Sequence, residues 1–482
     1  MDPVETLFGF KITKERLAKI LSKRNIHIGA SGITGFLSIL EKIGIHSLIA
    51  PSEIANSRDI EFDDVRQVVQ QLRSINFPLE IEESLQLPDE PRLFRYSVKT
   101  GGTENPAHGS SFFKRTDAYF AAIAEAVERY IWRYDENVLG RPITATFASL
   151  GSRRALDPLS FQGFSSETRS KNDTLNITKE SSFLWVPAYS HTQGKKLLVP
   201  AQLVSAIYAH KGQKELKEKI IWSPITTGLA TAVDAEQSQV KAILECMERD
   251  ALITHYYNTL TPKRLDTAYL CEQDPEIKAI MDQLHRYQLK VHLLDLSADF
   301  PVEALCAVVV DTTDNEPIYS FGMRTSFSLK TAVLDSIKEA LTMRPYERFT
   351  EKTSYPTNFA DFKMLDRGNY WAKKEHASQL DFFISGDLIQ KKLARSDVPW
   401  GDQLRQLVSW FKEKKYEVTV ANLSNSKYNA PKWHIYMAVC PQLQPMHLYE
   451  ALACVEGIRM REVPAYLGIS NPKLNTVPHP FM

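Results

Sequence analysis

The chain has 482 residues, 43% hydrophobic and 24% charged, enough apolar material for a large core and too much for a disordered chain. Lysine plus arginine and aspartate plus glutamate each total 58, and a formal net charge of zero excludes a general pull toward nucleic acid or an anionic membrane surface. No apolar run reaches the length of a membrane span, and the opening MDPVETLFGF lacks a basic stretch followed by an apolar one, so no membrane partner is expected and the protein is read as cytoplasmic.

Residues 1–88 read as a small α/β domain. Residues 14–23 are helical in pattern, and a strand-like piece from Asn25 runs through a glycine turn into the apolar helix pattern FLSILEKIG, closed by Gly44. Strand, glycine turn and helix open a dinucleotide-binding unit. Gly29, Gly32 and Gly35 are spaced GxxGxxG, however, and no acidic residue marks the end of a second strand, so a docking or packing role is the better reading. The polar, proline-containing stretch ESLQLPDEP, residues 83–91, reads as a linker.

From residue 92 to the end the pattern is α+β. A helix over residues 116–134 carries Glu125, Glu128 and Arg129, an ExxER unit flanked by Ala, Ile and Val. Carboxylates three residues apart share a helix face, and carboxylates among apolar neighbours need a cation or a basic partner. A single ExxER is an ordinary surface ion-pair pattern. A second copy, Glu245, Glu248 and Arg249, lies in a helix over residues 234–257, where Asp234 and Gln237 have the spacing of a reciprocal N-terminal cap. Strands are expected at residues 183–190, 289–296, 304–312, 416–423 and 433–440, rich in β-branched and aromatic residues. A third helix over residues 328–344 carries Glu339 and Arg344 and is expected to stop at Pro345. Residues 353–396 read as an insertion or mobile lid. Cys246, Cys271, Cys306, Cys440 and Cys454 are odd in number and scattered, which fits reduced, mostly core cysteines. Apart from the two ExxER helices, nothing looks duplicated.

Taken together, these helices resemble the YcaO superfamily over roughly residues 92–482. Ala121, Ala122, Glu125, Glu128 and Arg129 match its SAxxExxER helix; Thr227, Gly228, Ala230, Glu245, Glu248, Arg249 and Asp250 match its glycine loop and ExxERD; Glu339, Ala340 and Arg344 match its EAxQxR. The resemblance implies a YcaO-like ATP-binding domain over residues 92–482 preceded by the small N-terminal domain. Its cofactors are ATP and Mg²⁺, with Glu125, Glu128, Glu245 and Glu248 on metal and nucleotide. Arg344 is expected on phosphate, and Arg129 and Arg249 either touch nucleotide or orient the carboxylates. Gln237 stands where a further Glu is common, Thr342 where Gln is usual, and His108-Gly109-Ser110-Ser111 where many members have Gly-Lys-Gly.

The tail Asn475-Thr-Val-Pro-His-Pro-Phe-Met482 is similar to the PHPFP-like end of azoline-forming members, with Met482 replacing the last proline. That likeness implies that Pro478, His479, Pro480 and Met482 enter the active site, the terminal carboxylate positioning substrate or moving protons. The expected reaction is ATP-dependent cyclodehydration of Cys, Ser or Thr in a ribosomally made precursor peptide to azolines. Thioamide or amidine formation, or a non-catalytic nucleotide-binding scaffold, are the rival readings, and Gln237 motivates the last. Implied partners are the precursor peptide, a ThiF-like leader-peptide-binding protein, a separate flavin dehydrogenase where the product is an azole, and a second copy of the chain in a homodimer. His255 and Cys246, near the second acidic helix, are expected to be structural.

Overall fold

The computed structural model describes residues 60–482 apart from residues 85, 88, 102–105, 162, 314, 350–354, 395–397 and 482. Gly29, Gly32, Gly35, most of the expected docking domain 1–88 and Met482 therefore lie outside the described residues.

In chain order, α1 (Ile60–Ser74) leads into β1 (Glu80–Glu83), β2 (Phe94–Lys99) and β3 (Ala107–Ser111), an antiparallel sheet followed by α2 (Arg115–Tyr134). Next come β4 (Ile143–Thr146), β5 (Ser182–Ser190), β6 (Lys195–Pro200) and β7 (Leu229–Ala232), then α3 (Ala235–Tyr257). β8 (Lys263–Leu265), β9 (Leu289–Asp295), β10 (Glu303–Asp311) and β11 (Tyr319–Ser326) precede α4 (Leu329–Phe349). Downstream lie α5 (Met364–Trp371), β12 (Leu388–Ile389), β13 (Thr419–Asn422) and β14 (His434–Val439). The second sheet has the order β4-β5-β13-β14-β7 with β6 on β5, and the third β11-β10-β9-β8-β12. The mixture of largely antiparallel sheets, with β12 parallel to β8, and long helices is the expected α+β class.

The register of the strands follows from what they bury. Ala304–Val309 of β10 is an uninterrupted buried apolar run, as a central strand covered on both faces must be. In α3, Val240, Ile243, Met247, Leu252 and Ile253 are fully buried, each contributing about 1.5–3 kcal/mol of apolar burial. Asp234 caps α3 by accepting from the Gln237 N–H at 2.8 Å, which stabilises the helix by about 1 kcal/mol.

Three expectations are corrected. First, α4 runs through Pro345 to Phe349; Pro345 cannot donate to the carbonyl one turn back, and that Leu341 carbonyl receives the Arg95 Nη1 at 3.5 Å instead. Second, the described part of the stretch 353–396, read as an insertion or mobile lid, is packed against the core. Tyr355, Phe359, Phe362, Tyr370 and Trp371 form a linked aromatic cluster continuous with the core around α3. Third, the stretch read as a linker is packed, with Leu87 and Glu90 buried and the Gln86 amide tying together the Leu87, Glu90 and Pro91 carbonyls at 3.1 Å.

Candidate active site

Among the described residues each of three sheets ends in an open edge, β3, β7 or β11, and an edge strand leaves every second N–H without a ladder partner. In each case a glutamate from the following helix takes up such a group. Glu125 of α2 accepts from His108 N–H at 3.0 Å, Glu245 of α3 from Gly228 N–H, just ahead of β7, at 3.2 Å, and Glu339 of α4 from Met323 N–H at 2.7 Å. The sequence separations are 17, 17 and 16 residues. A glycine permits the close approach at each place. A Cβ on Gly109 would stand 2.0 Å from the Ala118 carbonyl, and one on Gly322 2.2 Å from the Ser336 carbonyl. Gly228 has φ +89° and faces the Ala438 carbonyl and Cys246 sulfur, a position only glycine fills without strain.

Three residues after each of these glutamates, the helix reaches the next edge strand. Glu128 stands beside Thr231 of β7, Glu248 accepts from Thr325 N–H of β11 at 2.7 Å, and the Thr342 hydroxyl meets Ser110 of β3 at 2.7 Å. The chain therefore contains three copies of one strand–glycine–helix unit, arranged in a closed cycle, rather than the two helices visible in the sequence. Thr342 fills in α4 the place of Glu128 and Glu248. The two departures at Ser110 and Thr342 face one another, so the hydroxyl pair is one local change and not two.

The electrostatics of the ring are those of excess negative charge. Burial raises the proton affinity of Glu245 to about 7, with the Glu248 and Glu339 charges adding to it and Arg249 opposing. Glu339 is likewise pushed up to about 7 by burial and by Glu248. Burial holds Glu128 well above the carboxylate range, the Glu245 and Glu125 charges adding to it and the Thr231 hydroxyl opposing. The basic groups do not cancel this charge. Arg129 is committed to Glu125 at 2.5 Å, whereas Arg249 stands at 3.8 and 3.7 Å from Glu245 and Glu248, and its Nε has no partner among the described residues. Thr325 Oγ1 is a second buried polar atom there without a partner among the described residues.

Arg344, expected to meet phosphate, has 0% exposure. Its Nε donates to both Glu90 oxygens at 3.1 and 3.2 Å, Nη1 to the Pro317 carbonyl at 3.1 Å, and Nη2 to Asp311 at 2.5 Å. The physical reason is its place on α4 beyond Glu339, where the helix passes the far end of the β10–β11 hairpin. A further basic group near the acids is Arg324, whose side chain is 41% exposed and bonds Asp335 at 3.2 Å; burial works against its charge, but Asp335, Glu248, Glu339 and Glu245 together raise its proton affinity. Period-two reading of β11 would have found it, since Arg324 shares a strand face with Gly322. Gln237 lies in the first turn of α3, roughly 12 Å along the axis from Glu245 at 1.5 Å per residue.

The tail is folded into the protein. The Pro478 carbonyl accepts from Trp371 Nε1 at 2.9 Å and Tyr256 hydroxyl at 3.2 Å, and Phe481 packs on Phe321 of β11 with ring centroids 5.8 Å apart. His479 is wholly buried. Its Nε2 bonds the His447 carbonyl at 2.8 Å, which requires a proton on Nε2 and leaves Nδ1, without a partner among the described residues, as a base. Burial, with Arg367, His447 and Arg249 adding, keeps the ring neutral. Cys246 and His255 are buried; burial lowers the His255 proton affinity to about 4, and its Nδ1 bonds the Ala251 carbonyl, a structural role for both.

The five glutamates and the β7 and β11 residues they meet fall within residues 113–444, which match the family model of the YcaO cyclodehydratases, described as ATP- and Mg²⁺-binding. The chain belongs to the YcaO family. ATP and Mg²⁺ are its cofactors. Among the described residues no three acidic, histidine or cysteine side chains stand close enough to form a ready-made metal cage. Mg²⁺ keeps waters and shares its shell with phosphate oxygens, so one or two protein carboxylates per ion suffice. Five glutamates with raised or mutually opposed charges, and a partly unpaired arginine, are a donor set that fits a magnesium–triphosphate.

The fold is shared with a heterocyclase solved in complex with substrate and cofactor, at TM-score 0.69 and 17% identity over 86% of this chain and 57% of that one. It is also shared with the YcaO of Methanopyrus kandleri bound with AMPPCP and Mg²⁺, at TM-score 0.58, 14% identity, 82% of this chain and 94% of that one. The E. coli microcin synthetase McbBCD complex gives TM-score 0.55, 16% identity, 81% of this chain and 97% of that one. A protein of Methanothermobacter thermautotrophicus described as uncharacterized is 24% identical over 232 residues, covering 48% of this chain and 55% of that one. The chain thus spans a little over half the length of the first of these structures and of this relative. Among the described residues no helix is long and apolar enough to cross a membrane.

Proposed function

We propose that this YcaO protein activates a backbone amide of a peptide with ATP and cyclises a neighbouring Cys, Ser or Thr side chain onto it. The substrate heteroatom attacks the preceding carbonyl carbon, the resulting oxygen takes the γ-phosphoryl group of ATP, and release of inorganic phosphate with loss of the amide proton leaves the azoline and ADP. The observation that carries this reading is the entry of the Pro478–Phe481 tail into the core beside β11, whose N–H groups hold Glu248 and Glu339.

Glu125, Glu128, Glu245, Glu248 and Glu339 would hold Mg²⁺ with the nucleotide. When bound, Mg²⁺ supplies charge neutralisation at phosphate oxygens. Arg249 and Arg324 take up charge developing on the transferred group, while Arg129 orients Glu125. His479 Nδ1 is a candidate proton acceptor, and Pro478 and Pro480 hold it in place. No protein nucleophile is needed. A ThiF-like leader-binding partner, a second copy of the chain, and a separate flavin dehydrogenase for azole products complete the proposal; it includes no membrane or nucleic-acid partner, and its setting is the cytoplasm.

Reconstitution with ATP, Mg²⁺, a precursor peptide and a ThiF-like partner tests it by intact mass. Loss of one water per modified residue is the expected result. A sulfur-for-oxygen gain would assign the chain to thioamide formation, and nucleotide binding without hydrolysis would assign it to a scaffold.

A further inference from the structure

The three-unit geometry extends outward by one helical turn. Four residues before Glu125, Glu245 and Glu339 stand Ala121, Lys241 and Asp335. Each lies on nearly the same helix face as its glutamate and roughly 6 Å nearer the helix N-terminus at 1.5 Å per residue, so the same repeat that closes the acid ring sets these three positions in an outer tier. Ala121 is exposed and Lys241 and Asp335 are half-buried, so the tier reaches solvent. The charges felt by Lys241 agree with this placement: Asp335 and Lys338 of α4, Arg324 of β11 and Glu128 of α2 all act on it.

The sign of the charge reverses between the tiers. The inner tier is carboxylate, whereas in the outer one Asp335 is already taken, by Arg324 Nε at 3.2 Å and Lys338 Nζ at 2.6 Å. Lys241 adds a third cation beside that pair, and the other carboxylate acting on it, Glu128, is held by burial well above the carboxylate range. Lys241 itself forms no ion pair or hydrogen bond among the described residues. Glu128 and Asp335 favour its charge through space, while burial first, then Arg324 and Lys338, work against it. A lysine kept to neutralise a carboxylate would pair with it; one held half-buried among other cations calls for an anion from outside the protein. A magnesium-bound triphosphate has the matching polarity, with its metal toward the inner carboxylates and its remaining phosphate oxygens toward the cations.

We infer that Lys241 is a phosphate-binding residue of this protein, its ammonium meeting, beside Arg324, the oxygens of the nucleotide's phosphate chain that the metal leaves open. The inference rests on the nucleotide site proposed above and adds to it a residue that lies outside the glutamate pattern.

The test titrates the full chain, as wild type, Lys241→Gln and Lys241→Arg, with Mg·AMPPCP by calorimetry, and with AMP, which lacks the outer phosphates, by displacement of Mg·AMPPCP. Lys241→Gln should weaken Mg·AMPPCP by about fivefold or more and lower the ratio of Mg·AMPPCP to AMP affinity by a similar factor. Lys241→Arg, which keeps the charge, should recover most of that loss. Lys241→Met gives the same comparison if Lys241→Gln does not fold. A smaller loss of Mg·AMPPCP in the uncharged variant overturns the assignment, as do equal proportional losses for both nucleotides, the result a merely structural lysine would produce. A wild-type chain that binds no Mg·AMPPCP overturns instead the acid-ring reading on which the inference rests, a result distinct from a binding wild type that Lys241→Gln leaves unchanged.

Discussion

Replacing Glu245 by glutamine separates the two roles of the acid ring, because the charge that helps hold a cation is a burden without one. The Glu245 side chain is 27% exposed, and its proton affinity rises from 4.5 to about 7, chiefly by burial and then by the Glu248 and Glu339 charges. Each tenfold change in proton affinity is worth about 1.4 kcal/mol, so the ionised form costs the fold about 3 kcal/mol as an upper figure. The sign follows from proton counting. Between 4.5 and about 7 the folded state holds a proton that the unfolded chain has lost, so stability falls as pH rises through this window and levels off above it. Glu245→Gln should therefore unfold at the same urea concentration as wild type at pH 4.5, and be about 2–3 kcal/mol more stable at pH 8. Saturating Mg·AMPPCP should reverse the order at pH 8, since only the wild type gains the full ligand stabilisation. Equal stabilisation of the variant at both pH values, or none at pH 8, would refute the reasoning.

Other outcomes follow from the same geometry. Glu128→Gln and Glu248→Gln should each reduce ATP turnover at least 100-fold, with circular dichroism unchanged; wild-type rates in both would remove the proposed site. Arg344→Ala should destabilise the protein by about 3–5 kcal/mol in chemical denaturation, because Glu90 and Asp311 lose their buried partner, whereas Arg324→Ala should leave the unfolding midpoint within about 0.5 kcal/mol and lower kcat at least tenfold. Trp371→Phe removes one of the two hydrogen bonds to the Pro478 carbonyl and should speed carboxypeptidase release of the tail and slow ring formation about tenfold, without changing Mg·AMPPCP affinity. Deleting Pro478–Met482 should abolish ring formation; full activity in that variant would overturn the azoline assignment and leave the nucleotide site intact.

Much of the site was legible because its signals are local. A helix face is readable from spacing, so Glu125, Glu128, Glu245 and Glu248 could be placed together and α2 and α3 bounded nearly to the residue. The all-apolar run of β10 announced a buried strand, and the Pro-His-Pro end marked a stiff tail. What the chain alone could not show was the third unit. Glu339 and Thr342 share the spacing of the acid pairs, but with Thr in place of the second Glu the repeat disappears from the sequence, and only the hydrogen bonds to Met323 and Ser110 reveal it.

Arg344 and Arg324 mark the same boundary. Both are basic residues near an acidic motif, and spacing favours Arg344; tertiary packing decides otherwise, because Glu90 and Asp311, distant in sequence, converge on it and consume its donors. The aromatic stretch after α4 looked mobile for want of periodicity, yet its rings find partners in one another and in the tail. Periodicity and residue type are properties of neighbours along the chain and were settled there. Which edge amide a carboxylate meets, which arginine remains available and where the tail lies depend on surfaces brought together by three sheets, and those only folding could decide.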